Sequence, residues 1–172
     1  MPKVARIWSE AEGVASLLAV VERGGVLAVP TESSYGLAAD PRSRLGVETV
    51  FRIKGRTPDK PLPVVIPGLE VLADLDLELP AGGLQGLEQA WPGPLSVLLE
   101  CGSALPAAAG SGRLAVRVPG HPDLCRLLEA LGIGLTATSA KRSGEPPILE
   151  SEPLHALHAG EDAIIVDGGR VP

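Results

Sequence analysis

Val14, Leu17, Leu18 and Val21 recur at helical spacing between Ser9 and the Gly24-Gly25 pair, with Ser9 and Glu12 at the separation of a capping box, which predicts a helix from Ser9 to Arg23. The apolar run Val26 to Val29 follows and is short enough for a buried strand. Pro41-Arg42-Ser43 opens a second helix with Val47, Val50 and Phe51 on its buried stripe and Gly55 as its stop. Lys54 then falls on the last turn. Pro63 to Pro67 and Leu95 to Leu99 read as short strands, separated by a helical stretch around Leu84 to Trp91 that Pro92-Gly93-Pro94 ends.

In Arg113 to Val118 the period changes to two, which puts Leu114, Val116 and Val118 on one face and Arg113 and Arg117 on the other. Pro122 and Asp123 start a helix carrying Leu124, Leu127, Leu128 and Leu131, and Gly132 closes it. Ile133 to Thr138 reads as one strand ending in a serine-rich loop. A short helix near Pro153 to His158 and a strand Ala163 to Val166, cut off by Asp167-Gly168-Gly169, complete the chain. Helices and strands intermix without repeat or linker. The expected fold is a single α/β domain over residues 1–172, a twisted mixed sheet flanked by helices.

Composition narrows the class. With 172 residues, 45% of them hydrophobic, and a net charge of only -6, the chain can bury a core and is not a disordered one. Asp and Glu number 21 against 15 Lys and Arg, which argues against tight sequence-independent nucleic-acid binding and leaves a local basic concavity open. No apolar stretch approaches the ~20 residues of a membrane span. Cys101 and Cys125 are too few for a disulfide framework and no basic-then-apolar leader opens the sequence, so a cytoplasmic protein with buried free thiols is expected. Asparagine is absent, glutamine occurs only at Gln85 and Gln89, and proline reaches 17, a pattern that fits a thermophilic source.

Candidate chemistry gathers in three places, each just after an apolar run or at a helix end. Lys54 and Arg56 supply cations suited to phosphate, Arg as a fork and Lys as a point charge. Ser139 and Ser143 supply hydroxyls, and the peptide groups around Gly144 can form an anion nest. Thr31, Ser33 and Ser34 can hold a small polar substrate. Each has a plain structural reading when taken singly: a cation favoured by the helix macrodipole at Lys54, a turn at 31–34, a solvated connection at 138–144, a solvated strand face at Arg113 and Arg117. P-loop, dinucleotide and nucleophile-elbow patterns are absent. His155 and His158 read as surface residues rather than a metal pair, Cys101 and His121 carry no pairing signal, and no metal site is expected.

Six stretches in order carry a resemblance along nearly the whole chain: Pro30-Thr31-Glu32-Ser33-Ser34-Tyr35-Gly36-Leu37; Lys54-Gly55-Arg56 with Lys60-Pro61-Leu62; Trp91-Pro92-Gly93-Pro94-Leu95-Ser96; Ala115-Val116-Arg117-Val118-Pro119-Gly120-His121-Pro122; Thr138-Ser139-Ala140 with Ser143-Gly144; and Val166-Asp167-Gly168-Gly169. The sequence resembles the YrdC-like family of threonylcarbamoyl-AMP synthases. The resemblance implies a twisted α/β sheet with a basic concave face. It also implies a nucleotidyltransferase that makes threonylcarbamoyl-adenylate from L-threonine, bicarbonate or carbon dioxide, and ATP with Mg2+, for t6A modification of adenosine 37 in tRNA. Proteins of the t6A route would be its partners, with a weak tRNA contact left open. On the same match Lys54 and Arg56 are catalytic and meet the phosphates, Thr31 contacts threonine, Arg117 the substrate carboxylate or carbamate, and Ser139 the nucleotide, with Lys141 and Ser143 beside it. Lys141 stands where the family usually has asparagine, and the chain stops soon after Asp167-Gly168-Gly169, where relatives usually continue. Those two departures motivate the alternative expectation of a catalytically degenerate relative that binds nucleotide or RNA in a basic cavity.

Overall fold

The computed structural model describes residues 5–83, 85–101 and 105–172. Its strands are β1 (Arg6–Ile7), β2 (Val26–Pro30), β3 (Tyr35–Ala38), β4 (Val64–Val65), β5 (Val97–Glu100), β6 (Arg113–Arg117), β7 (Leu135–Thr136), β8 (Thr138–Ser139) and β9 (Ala163–Ile165). Its α-helices are α1 (Val14–Glu22), α2 (Arg44–Lys54), α3 (Leu87–Ala90), α4 (Pro122–Leu131) and α5 (Glu152–Leu157). The fold is α/β with mixed sheets flanked by helices, as the element pattern predicts.

The strands form two sheets rather than one. The first runs β1-β9-β2-β3-β8 and the second β5-β6-β4-β7. β1, β9 and β2 are mutually parallel, and β3 returns antiparallel to β2 with Pro30 opposite Tyr35. The turn read at 31–34 is therefore followed directly by a strand, which the apolar pattern does not announce. Ile133 to Thr138, read as one strand, is split between the sheets: β7 pairs with β4 in the second and β8 with β3 in the first. Thr136 stitches the two together, since its Oγ1 accepts from Ala39 N–H at 2.9 Å and donates to the Leu37 carbonyl at 3.3 Å.

Helix ends follow local chemistry. Gly13 sits at φ +74°, where a right-handed helix cannot pass, so the predicted first helix is divided into a 3-10 turn over Glu10–Glu12 and α1. The Glu12 carboxylate still accepts from Ser9 N–H at 2.9 Å. Ser43 Oγ caps α2 by accepting from Gly46 N–H at 3.0 Å, and Gly55 ends that helix in the left-handed conformation. Leu84, where the third helix was expected to begin, lies outside the described residues, and the helix itself is the single turn Leu87–Ala90.

β2 is buried on both faces, which explains its unbroken apolar run. Val26 and Ala28 face a cluster with Tyr35, Phe51 and Val116. Leu27 and Val29 face another that joins Leu17 and Val21 of α1 to Leu124 and Leu128 of α4. Two side-chain expectations are corrected. Cys101 and Cys125 are half-buried rather than buried. His158, expected at the surface, is fully buried at 0% exposure, its Nδ1 lying 2.7 Å from the Leu154 carbonyl one helical turn back; burial lowers its pKa. His155 is exposed, and among the described residues no group of three or more His, Cys, Asp or Glu converges.

Candidate active site at the junction of the two sheets

Lys54 is the centre of the site. The amphipathic stripe of α2 sets its rotation, so that the last residue of the helix points inward with 4% of its surface exposed. Its Nζ donates to the Ser139 carbonyl at 2.7 Å and to the Lys141 carbonyl at 3.3 Å, while its own carbonyl accepts from Ser143 N–H at 2.9 Å. The serine-rich loop is thus wrapped around one lysine. Two of the three ammonium N–H groups are used, and the third meets no acceptor among the described residues.

Removal from water, then the nearby Arg56 and Lys141 charges, pull the Lys54 pKa down to about 8 from its ordinary 10.5. Such a cation gains most from an anion brought between it and its neighbours. Arg56, two residues on, lays its guanidinium over the Phe51 ring at 5.2 Å and keeps a buried Nε without a partner among the described residues. Lys141 turns its own ammonium to the Glu145 carbonyl at 2.8 Å and braces the turn around Gly144. Ser143 is exposed and is held by its backbone alone.

The register carries the site to the 31–34 turn, because Ser139 of β8 lies opposite Gly36 of β3. A Cβ at Gly36 would sit 3.2 Å from the Thr31 methyl, so glycine lets the turn fold close over the strand. The Thr31 hydroxyl is engaged within its own turn: it donates to the Ser34 carbonyl at 2.8 Å, and the residue is 6% exposed. Thr31 therefore shapes the turn, and Ser33 is its exposed hydroxyl. Arg117, at the end of β6 in the second sheet, reaches the same turn through Glu32 Oε1 at 3.2 Å. Arg113 stays exposed at the far end of that strand.

Glu32 was not singled out in the sequence, yet it joins the two sheets here. Its Oε1 also accepts from Gly120 N–H at 2.6 Å. Desolvation raises its pKa, but the N–H groups of Glu32, Gly120 and His121 and the Arg117 charge outweigh it and hold the carboxyl below its ordinary value. Tyr35 was likewise missed. Its hydroxyl donates to the Gly169 carbonyl at 2.7 Å and accepts from Gly168 N–H at 3.1 Å, which fastens the Asp167-Gly168-Gly169 turn beside β3. A groove of about 610 Å³ lies past the serine-rich loop, between the 145–150 segment and α5, lined in part by Arg142, Glu145, Ile148, Glu150 and Arg170; Lys54, Arg56 and Ser139 do not line it.

The family model Sua5/YciO/YrdC, described as telomere recombination, matches residues 19–172. The chain belongs to the Sua5/YciO/YrdC family. Relatives of this family named threonylcarbamoyl-AMP synthase include one from Bacillus subtilis (strain 168), 35% identical over 161 residues, an alignment covering 91% of this chain and 46% of that one. Another, from Xanthomonas campestris pv. campestris (strain B100), is 39% identical over 154 residues, covering 86% of this chain and 82% of the other. The crystal structure of P. abyssi Sua5 complexed with L-threonine superposes with a TM-score of 0.82 at 30% identity, over 97% of this chain and 50% of that one. The chain thus spans about half the length of the Bacillus and P. abyssi family members.

Proposed function

We propose that residues 1–172 form one catalytic domain, a threonylcarbamoyl-AMP synthase acting in the cytoplasm for the t6A modification of tRNA, together with other proteins of that route. The observation that carries this reading is the buried Lys54 ammonium, held at 2.7 Å from the Ser139 carbonyl with Arg56 beside it. Three separated motif segments converge on that point. The names of the relatives and the threonine held by P. abyssi Sua5 supply the substrate class.

In the proposed reaction the threonine amine takes up carbon dioxide as a carbamate, bicarbonate losing water to supply it. A carbamate oxygen then attacks the α-phosphorus of ATP, the α–β bridging P–O bond breaks, and pyrophosphate leaves. The enzyme's task is to align the two anions and offset the negative charge gathering on the phosphoryl oxygens. Lys54 and Arg56 meet that charge, Arg117 receives the threonine carboxylate or the carbamate, and Ser139 with Ser143 edges the nucleotide. Among the described residues the site's side chains are cations and hydroxyls rather than a carboxylate cage, so Mg2+ would enter as part of the ATP complex. Lys141, in place of an amide, would add a further cation to the phosphate end; its charge lies close enough to Lys54 to lower that pKa, which supports the reading.

Purified protein given threonine, bicarbonate, ATP and Mg2+ is expected to release pyrophosphate only when threonine is present. Nucleotide binding without threonine-dependent turnover would replace this reading with that of a degenerate, binding-only relative.

The depressed Lys54 pKa gives a second check. Near pH 8 the free ammonium is about half protonated, and a bound triphosphate restores the charge, so ATP binding takes up about half a proton there and close to none below pH 7. Calorimetry in buffers of different ionisation enthalpy measures the uptake, and Lys54→Met should abolish it. Stability has the opposite pH sense. The folded pKa lies below the unfolded one, so folding releases a proton between about 8 and 10.5, and this lysine's contribution to stability improves as pH rises through that window.

A further inference from the structure

Between β6 and the first turn of α4, the segment 118–121 is held from three directions. Gly93 N–H donates to the Val118 carbonyl at 2.9 Å, the Cys125 thiol donates to the Pro119 carbonyl at 2.8 Å, and Glu32 Oε1 accepts from Gly120 N–H at 2.6 Å. The first two contacts come from the turn before β5 and from α4. The third comes from the turn between β2 and β3, in the other sheet.

The same Glu32 oxygen takes one N–H of Arg117 Nη1 at 3.2 Å, and among the described residues no other acceptor meets that guanidinium. Arg117 is only 22% exposed at its side chain and Glu32 34%. A guanidinium carries five N–H donors, so four remain for an incoming carboxylate, including those needed for a two-pronged contact. A long side chain left free would lose its rotamer freedom on binding; one already tied along a fixed line loses less.

We infer that Glu32 is a positioning residue for the amino-acid substrate: its carboxylate fixes Arg117 against the start of α4, so that the open edge of the guanidinium is set for the threonine carboxylate or its carbamate. The inference rests on the synthase reading. It assigns Glu32 to threonine and not to ATP, because its contacts are to Arg117 and Gly120, whereas the cations Lys54 and Arg56 gather at the serine-rich loop. Glu32 is argued to act through Arg117, without touching the reacting atoms.

The test compares native protein with Glu32→Ala and Glu32→Gln in steady-state pyrophosphate release, varying threonine and ATP in turn, with thermal midpoints recorded. Glu32→Ala is expected to raise the KM for threonine more than fivefold and leave that for ATP within twofold. Glu32→Gln keeps an oxygen facing Gly120 N–H and Arg117, and should recover most of the loss. Titration of threonine alone, read by calorimetry, should weaken in the same order. The inference is overturned if Glu32→Ala leaves the threonine KM within twofold of native, if both KM values rise together, or if Glu32→Gln is no better than Glu32→Ala. If native protein shows no threonine-dependent release, the synthase reading falls and takes this one with it; a native enzyme whose Glu32 variants behave normally sinks the positioning role alone.

Discussion

Replacing Lys54 by methionine is expected to lower threonine-dependent pyrophosphate release by about 10- to 150-fold, the loss of one charge-assisted contact of ~1.5–3 kcal/mol to the phosphates. Methionine keeps most of the length and the apolar stem, so the inward rotation of α2 and the Phe51 packing can persist. Two carbonyls, those of Ser139 and Lys141, lose their donor, which costs stability. Against this, a partly dehydrated cation beside Arg56 and Lys141 is removed, which gains some back. The thermal midpoint should therefore move by only a few degrees while turnover collapses. A variant that keeps more than half of native turnover would remove Lys54 from the chemistry.

Leu128→Ala is expected to do the reverse. Leu128 is fully buried at 0% exposure in the cluster that packs α1 on α4, with Leu17, Leu124 and Ile164 around it. Cutting it to alanine removes buried methyl groups and leaves a void that two helices and a sheet cannot easily close, a loss of about 2–5 kcal/mol. Since none of its cluster partners belongs to the site, the folded fraction should keep its KM values. Chemical denaturation measures the first effect, and steady-state kinetics at low temperature the second. A loss below about 1 kcal/mol would mean that the gap closes by repacking.

The helices were legible because their signals are local. Ser43, Gly55, Pro122 and Gly132 mark starts and stops by chemistry that acts within one turn, and the helices α2 and α4 run between them. The short strands were harder. Tyr35-Gly36-Leu37-Ala38 follows a polar turn directly and carries no strand signal of its own, and its strand character comes from pairing with β2 on one side and β8 on the other. Nothing in Ile133 to Thr138 tells where pairing passes from one sheet to the next, since the partners are chosen by distant segments, Val64–Val65 for β7 and Gly36–Leu37 for β8. The candidate site was legible where it depends on charge, in that Lys54, Arg56 and the serine-rich loop lie together. It was hidden where it depends on long-range partners. Thr31 looks like a free hydroxyl until its acceptor at Ser34 is seen, and Glu32 looks like a solvated acid until Arg117 and Gly120 arrive from the other sheet. A carboxylate placed between a threonine and two serines, together with an arginine at the end of a distant strand, was the only available hint.

Ala137 lies between β7 and β8, with its N–H on the Pro63 carbonyl at 2.9 Å, and the Thr136 hydroxyl is tied to the opposite layer. One short stretch of backbone is thus riveted to both layers. A clamshell motion, with the layers swinging apart about a hinge, would tear those rivets. The two layers are thereby fixed relative to one another, and this short stretch sets the spacing between the bends at 31–34 and 141–144 that carry the candidate site.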